Sequence, residues 1–183
     1  IMSTGTPVTN RPKLDAQFIS KLAERDVDLV VLEELSTSPE FGDYFSALAF
    51  GRPVFGTAVD AWHSLNDGLL GETDLLFVFD SNEGQRIALL IENKIDAPPQ
   101  PNQAERYSLR GENGKQKGLW DDFVTIILAP ARYLESTHNN AGYAAEISYE
   151  ELMAFFLSRR YGEPRCGYKA KVIREAIEQN RRG

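Results

Sequence analysis

The residues best equipped for chemistry lie in RIALLIENKIDAPPQPNQAERY, residues 86–107. The stretch opens as an unbroken apolar run, Ile87–Ile91, and then carries Glu92 and Lys94 where a buried strand should stay apolar. Burying either charge alone costs several kcal/mol, so each needs a partner: the other, a solvent cleft or a bound cation. A second carboxylate, Asp74, sits early in the apolar run GETDLLFVFD. If the two runs pair as a hairpin, the start of one lies beside the end of the other, and Asp74 meets Glu92 at one rim of the sheet. Facing carboxylates repel unless a proton or cation sits between them. Hard oxygen ligands that leave room for water and phosphate suit Mg²⁺. Glu92 and Lys94 are two apart and so leave the same face of a strand. Lys94 is thereby able to hold a water nucleophile and stabilise a developing oxyanion, beside a cation that acidifies the water.

The elements that must hold these groups are legible in the apolar patterning. Residues 12–35 read as a helix, with Leu14, Phe18 and Leu22 followed by VDLVVLEEL and a cap or kink near Asp26. A second helix runs from Pro39 to a stop at Gly51. FGTAVDAWHSLND gives a first strand and its loop, GETDLLFVFD a second, and RIALLIENKI a third across the SNEGQ turn. APPQPN is a rigid linker, AERYSLR a short helix, and GENGKQKG a flexible, partly basic loop. FVTIILAP is a fourth, buried strand. ISYEELMAFFLSRRY is an amphipathic helix capped near Ser148, and GYKAKVIREAIEQNRRG is a last helix. This order implies an α/β protein: a mixed central sheet of about four or more strands with helices on both faces. Residues 1–11 are expected to be a mobile segment and 12–183 a single domain with a basic C-terminal helix.

Composition sets outer limits. No apolar run approaches the roughly 20 residues of a membrane span. Cys166 is the sole cysteine, which excludes an intrachain disulfide and a cysteine-based zinc site and fits a reducing cytoplasm. The net charge of −7 is unevenly spread: residues 159–183 hold eight basic and three acidic side chains, hence +5, leaving −12 for the rest. Such asymmetry suits contact with a polyanion, although a solvated helix face explains it too.

Asp74, then 17 residues, then Glu92-Asn93-Lys94 resembles the D…(D/E)XK signature of the PD-(D/E)XK nuclease superfamily; Thr73 stands where the signature has proline. Gln103 and Tyr107 resemble the QxxxY helix of one branch of that superfamily, and ERDVDLVVLEEL resembles the branch's first helix, which often supplies a further glutamate. The resemblance spans about residues 14–130 and implies a restriction-endonuclease-like core. It implies a nuclease that hydrolyses phosphodiester bonds with Mg²⁺ or Mn²⁺, with DNA as the default substrate and RNA not excluded. Asp74, Glu92 and the Asn93 carbonyl would hold the metal, joined by Glu33 or Glu34. Lys94 would position the water, and Gln103 and Tyr107 would organise the site.

Further residues carry weaker signals. Helical spacing allows either Glu33 or Glu34 to point inward, and strand alternation makes Glu72 another candidate. Arg106 and Arg110, with Lys115 and Lys117, are candidates for phosphate contact. His63 reads as a loop histidine near the rim, His138 as surface, and Ser64 lacks a His/Asp relay. Two rival readings remain: a binding or scaffold module that keeps the fold without catalysis, and a hydrolase of small phosphate esters. A homo-oligomer is compatible with the sequence.

Overall fold

The computed structural model describes residues 11–183; the expected mobile segment falls, but for Arg11, outside the described residues. Five strands form one sheet in the order β1 (Gly56–Asn66), β2 (Glu72–Ser81), β3 (Arg86–Asn93), β4 (Asp122–Ala129), β5 (Ala145–Ser148). β1–β2–β3 is an antiparallel meander, and β3, β4 and β5 run parallel. The helices are α1 (Glu24–Thr37), α2 (Pro39–Phe50), α3 (Gln103–Gln116), the short α4 (Ala131–Leu134) and α5 (Thr137–Asn140), α6 (Tyr149–Arg159) and α7 (Pro164–Arg182). The mixed α/β sheet expected from the sequence is therefore present, with a fifth strand added.

The two faces of the sheet are covered unequally. α1, α2, α6 and α7 pack on one face, where Leu75, Phe77, Leu89, Ile91, Ile126 and Leu128 meet Val27, Val31, Phe41, Phe156 and Ile173. α3 covers the other, burying Tyr107 against Leu76, Val78, Ala88 and Leu90. Cover on both sides explains why β3 is apolar at consecutive positions. Each fully buried Leu or Ile there contributes roughly 1.5–3 kcal/mol.

The short helices α4 and α5 were not expected, and His63 lies within β1 and not in a loop. Three further elements depart from the sequence reading. α1 begins at Glu24, not residue 12: Asp26 accepts a hydrogen bond from Ala23 N–H at 2.8 Å, which caps the helix there. Upstream, Leu22 is strapped by Gln179, whose side chain accepts from Leu22 N–H and donates to Leu22 O, both at 2.9 Å. That side chain gives the Leu22 backbone the partners a helix would otherwise have supplied. Secondly, GENGKQ is not a loop but the second half of α3. Gly111 and Gly114 lie against the rings of Phe123 and Trp120, and a Cβ at either position would collide with them. Glycine costs helix propensity here and permits the helix to approach the sheet. Thirdly, β5 is only Ala145–Ser148, too short to show alternation, and its last residue doubles as the α6 cap: Ser148 Oγ accepts from Glu151 N–H at 3.2 Å while Glu151 accepts from Ser148 N–H at 2.7 Å.

Candidate active site

The β2–β3 ladder ends at the pair Leu75–Ile91, so Asp74 and Glu92 are the next residues across from one another. Alternation turns both side chains toward α3, the side occupied by Leu76 and Leu90. Asp74 Oδ2 accepts from Asn93 N–H at 2.9 Å, which fixes its carboxylate on the end of β3. Glu92 Oε1 receives Lys94 Nζ at 2.6 Å and the Gln103 side-chain amide at 2.6 Å. Glu92 and Lys94 are both buried.

Tyr107 is the brace. Its hydroxyl donates to Ile91 O at 3.2 Å and accepts from Asp74 N–H at 3.1 Å, joining β2 to β3 just where the ladder stops. Gln103 and Tyr107 thus share one helical face, as i and i+4 residues must.

Crowding shifts the protonation equilibria. Burial, then repulsion by Glu92, push the Asp74 carboxyl up to about 8, although Asn93 N–H opposes the shift. Burial alone would lower the Lys94 ammonium, but Glu92, Glu24 and Asp74 outweigh it and the net shift is upward. Lys94 is therefore a cation at neutral pH, fitted to donate protons and not to accept them. Burial raises Tyr107 as well, with the charges of Glu92 and Asp74 adding to the effect.

Behind this rim lies a polar network absent from the sequence reading. Asn93 donates to Asp28 Oδ1 at 2.8 Å and to Glu24 O at 3.0 Å, and accepts from the Tyr149 hydroxyl at 2.6 Å. Asp28 Oδ2 stands 3.1 Å from His63 Nε2. Burial raises the Asp28 carboxyl, with Asn93 and His63 partly relieving it. Glu24, the first residue of α1, accepts from Ile95 N–H at 3.1 Å; burial raises it too, and Lys94 pulls it back.

The glutamate that α1 brings to the rim is therefore Glu24. Glu33 and Glu34 lie elsewhere: Lys169 Nζ of α7 is 3.2 Å from Glu33 and pairs closely with Glu34. The expectation that either joins Asp74 is corrected by this pairing. The signal that could have found Glu24 is its place in the first turn, next to the Asp26 cap, once the helix start is set correctly. Glu72 lies exposed at the beginning of β2. Arg110 is not a surface cation: it is buried, its guanidinium lies 4.2 Å from the Tyr107 ring centre, and its Nη1 donates to Leu70 O. Arg106 is half-buried and donates to Pro101 O at 2.6 Å and to Gln100 at 3.2 Å. Lys115 and Lys117 are exposed, with Lys115 3.8 Å from Asp122.

Among the described residues, no group of three or more His, Cys, Asp or Glu side chains stands in an arrangement able to hold a metal ion. Glu92 is occupied by Lys94 and Gln103, and Asp74 by Asn93. A comparison with protein-family models, curated proteins and solved structures gave no match. Among the described residues no helix is long and apolar enough to cross a membrane.

Proposed function

We propose that the chain is a metal-dependent nuclease that hydrolyses phosphodiester bonds, with DNA as its first-choice substrate. The observation that supports this is the meeting of Asp74, Glu92 and Lys94 at one sheet rim, with Gln103 on Glu92 and Tyr107 between the strands. A D…ExK set followed by a QxxxY helix implies that arrangement.

The donor set fits Mg²⁺ or Mn²⁺ in a particular way. Two carboxylates, Asp74 and Glu92, and the Asn93 carbonyl offer hard oxygens, and the raised Asp74 carboxyl marks a place where positive charge is wanted. Glu24 and Asp28 are further carboxylates close enough to feel the charge of Glu92. With two carboxylates, most of the coordination falls to water and substrate phosphate, the common manner of holding Mg²⁺. When bound, the ion would supply the charge that acidifies water and offsets the phosphate.

The chain's own residues do the remainder. Lys94, protonated and held by Glu92, presents N–H donors to the attacking water and to the phosphoryl oxygens as negative charge grows on them. Gln103 keeps Glu92 in one orientation. Tyr107 fixes the spacing of β2 and β3, and so of the two carboxylates. In such a site a misplacement near 1 Å costs on the order of 10² in rate.

One observation favours a second reading. The Glu92–Lys94–Gln103 contacts are mutually satisfied, and no three-carboxylate group is formed among the described residues. Such closure suits a binding module that keeps the fold without catalysis. Supercoiled and linear DNA incubated with Mn²⁺, wild type beside Lys94→Ala, separates the two: cleavage by the wild type alone supports the nuclease, and no cleavage by either supports the module.

A further inference from the structure

Next to the acidic rim, between α3 and the start of β2, lies a cavity of about 210 Å³. Its floor is Leu76 and Leu90; Trp120 forms a wall; Thr73, Asn113 and Arg110 supply polar groups. None of Asp74, Glu92, Lys94, Gln103 and Tyr107 lines it, and it meets the proposed catalytic site only through their neighbours. Thr73 is the neighbour of Asp74, and Arg110 lies on the ring of Tyr107, whose hydroxyl accepts from Asp74 N–H.

Three features point to a ligand. Arg110 Nε is buried without a hydrogen-bond partner, one of two such side-chain atoms among the described residues. That atom is closed to a water-sized group as it stands; a buried unpaired donor is costly, so a shift that opens it to an acceptor in the cavity is favoured. Asn113 and Asp67 form a donor–acceptor pair at 3.0 Å beside the cavity, both half-buried and lining it. Trp120 is held in place, its indole N–H donating to Gly111 O at 3.0 Å and its ring lying against Gly114. A fixed aromatic wall, apolar floor and polar edge suit a flat heteroaromatic ring. The volume, roughly seven times a water's share of the liquid, is enough for one such ring.

Apolar side chains stand exposed on this side of the molecule. Leu69 is fully exposed on the turn Gly68–Leu70 that joins β1 to β2, and Leu65 and Leu119 beside the cavity are exposed as well. The turn is held by Asp67 N–H on Gly71 O at 2.9 Å and by Arg110 on Leu70 O. Apolar side chains on a rigid tip are the wedge that nucleic-acid-deforming proteins push between base steps.

We propose that this cavity receives one base of the nucleic-acid substrate, turned out of its stack beside the phosphate being cleaved. The inference rests on the nuclease reading. Unstacking a base bends the backbone at that point and draws the adjacent phosphate toward Asp74 and Glu92. Lys117, exposed among the lining residues, is placed to meet a flanking phosphate.

The test uses the full chain in Ca²⁺ with duplex oligonucleotides in which a single 2-aminopurine is moved position by position. Its emission rises when it leaves the stack. A rise confined to one position next to the bond cleaved in Mn²⁺ is expected. Asn113→Leu, which keeps the volume and removes the polar edge, should weaken binding about tenfold and reduce the rise, as loss of one well-held base would. Trp120→Leu should do the same, and thermal melting of both variants checks that they fold. Binding and cleavage with no rise at any position, or a rise untouched by Asn113→Leu, overturns the base pocket and leaves the nuclease standing. Neither binding nor cleavage overturns both.

Discussion

The protein buries two lysines against carboxylates, and their surroundings differ. Lys94 and Lys169 are almost equally hidden, at 6% and 5% exposure. Lys169 lies between α7 and α1, where Glu34 is its buried partner and Glu33 faces solvent. Lys94 stands at the end of β3 among Glu92, Asp74 and Glu24, with Asp28 just behind. The first cluster pins two helices together. The second carries more acid than base and drives Asp74 to about 8. Strongly perturbed groups of this kind are common at functional sites, and the proposed function draws on that contrast.

The largest effect expected from that contrast is kinetic. Lys94→Ala should lower DNA cleavage in Mn²⁺ by on the order of 10²–10³, while Mn²⁺ binding by calorimetry persists. Lys169→Ala should leave the cleavage rate per folded molecule near wild type. A Lys94 variant that cleaves normally would make the two lysines equivalent and remove the catalytic assignment.

Next in size is stability. Lys169→Ala leaves Glu34 buried without its cation, which costs about 3 kcal/mol in urea denaturation. The paired replacement Lys169→Met with Glu34→Leu should recover most of that loss, because a buried ion pair is worth little beyond an apolar pair of similar shape. Should the double variant stay as unstable as the single, Lys169 has a role beyond pinning α7 to α1.

How far the sequence revealed this contrast depends on range. Glu92 and Lys94 were legible because they interrupt an apolar strand, and Asp74 because a hairpin must bring it opposite Glu92. Gln103 and Tyr107 followed from local helical spacing. Glu24, Asp28 and Tyr149 were not legible. Their meeting with Asn93 depends on how α1 and α6 dock, and no local period encodes that. Glu33 and Glu34 misled because helical spacing says that a residue points inward and not what it meets there. Arg110 was hidden for a similar reason, since a cation stacked on a tyrosine looks in sequence like any exposed arginine. Gly111 and Gly114 suggested a loop because glycine's cost to a helix is local, whereas the benefit, close packing on Trp120 and Phe123, is tertiary.

The acid surplus can be measured through Asp74. The folded chain keeps that proton up to about pH 8, whereas an unfolded aspartate releases it near 3.8. Between those values the native state binds more protons, so this group's contribution to stability falls as pH rises and is fully lost above about pH 8. Asp74→Asn retains an oxygen to accept from Asn93 N–H and has no proton to lose. The variant should exceed the metal-free wild type by about 2 kcal/mol near pH 8, allowing for the group's part exposure, and match it near pH 4. Millimolar Mn²⁺ should raise the melting temperature of the wild type more than that of the variant, by mass action. A difference that does not change with pH would place the strain outside Asp74.

The smallest expected effect lies where the two clusters are joined, along α7. The helix that holds Lys169 near its start ends beside the β3 rim: Asn180 donates to Ile95 O at 2.7 Å, and Arg132 donates to Arg181 O at 2.9 Å. Arg181 and Arg182 are exposed there, although Arg181 is shared with Glu178 at 2.8 Å. Their position beside the proposed site suits contact with substrate phosphates that carries no sequence preference. A cation already paired on the surface contributes less than a free one, so Arg182 should matter more than Arg181. Changing both to Ala should weaken DNA binding in Ca²⁺ and reduce the slope of log affinity against log salt by up to about one unit per lost contact. Arg182→Ala alone should account for most of the change. Parallel salt plots of equal affinity would make the basic end of α7 a solvated helix face, and would confine phosphate recognition to the rim itself.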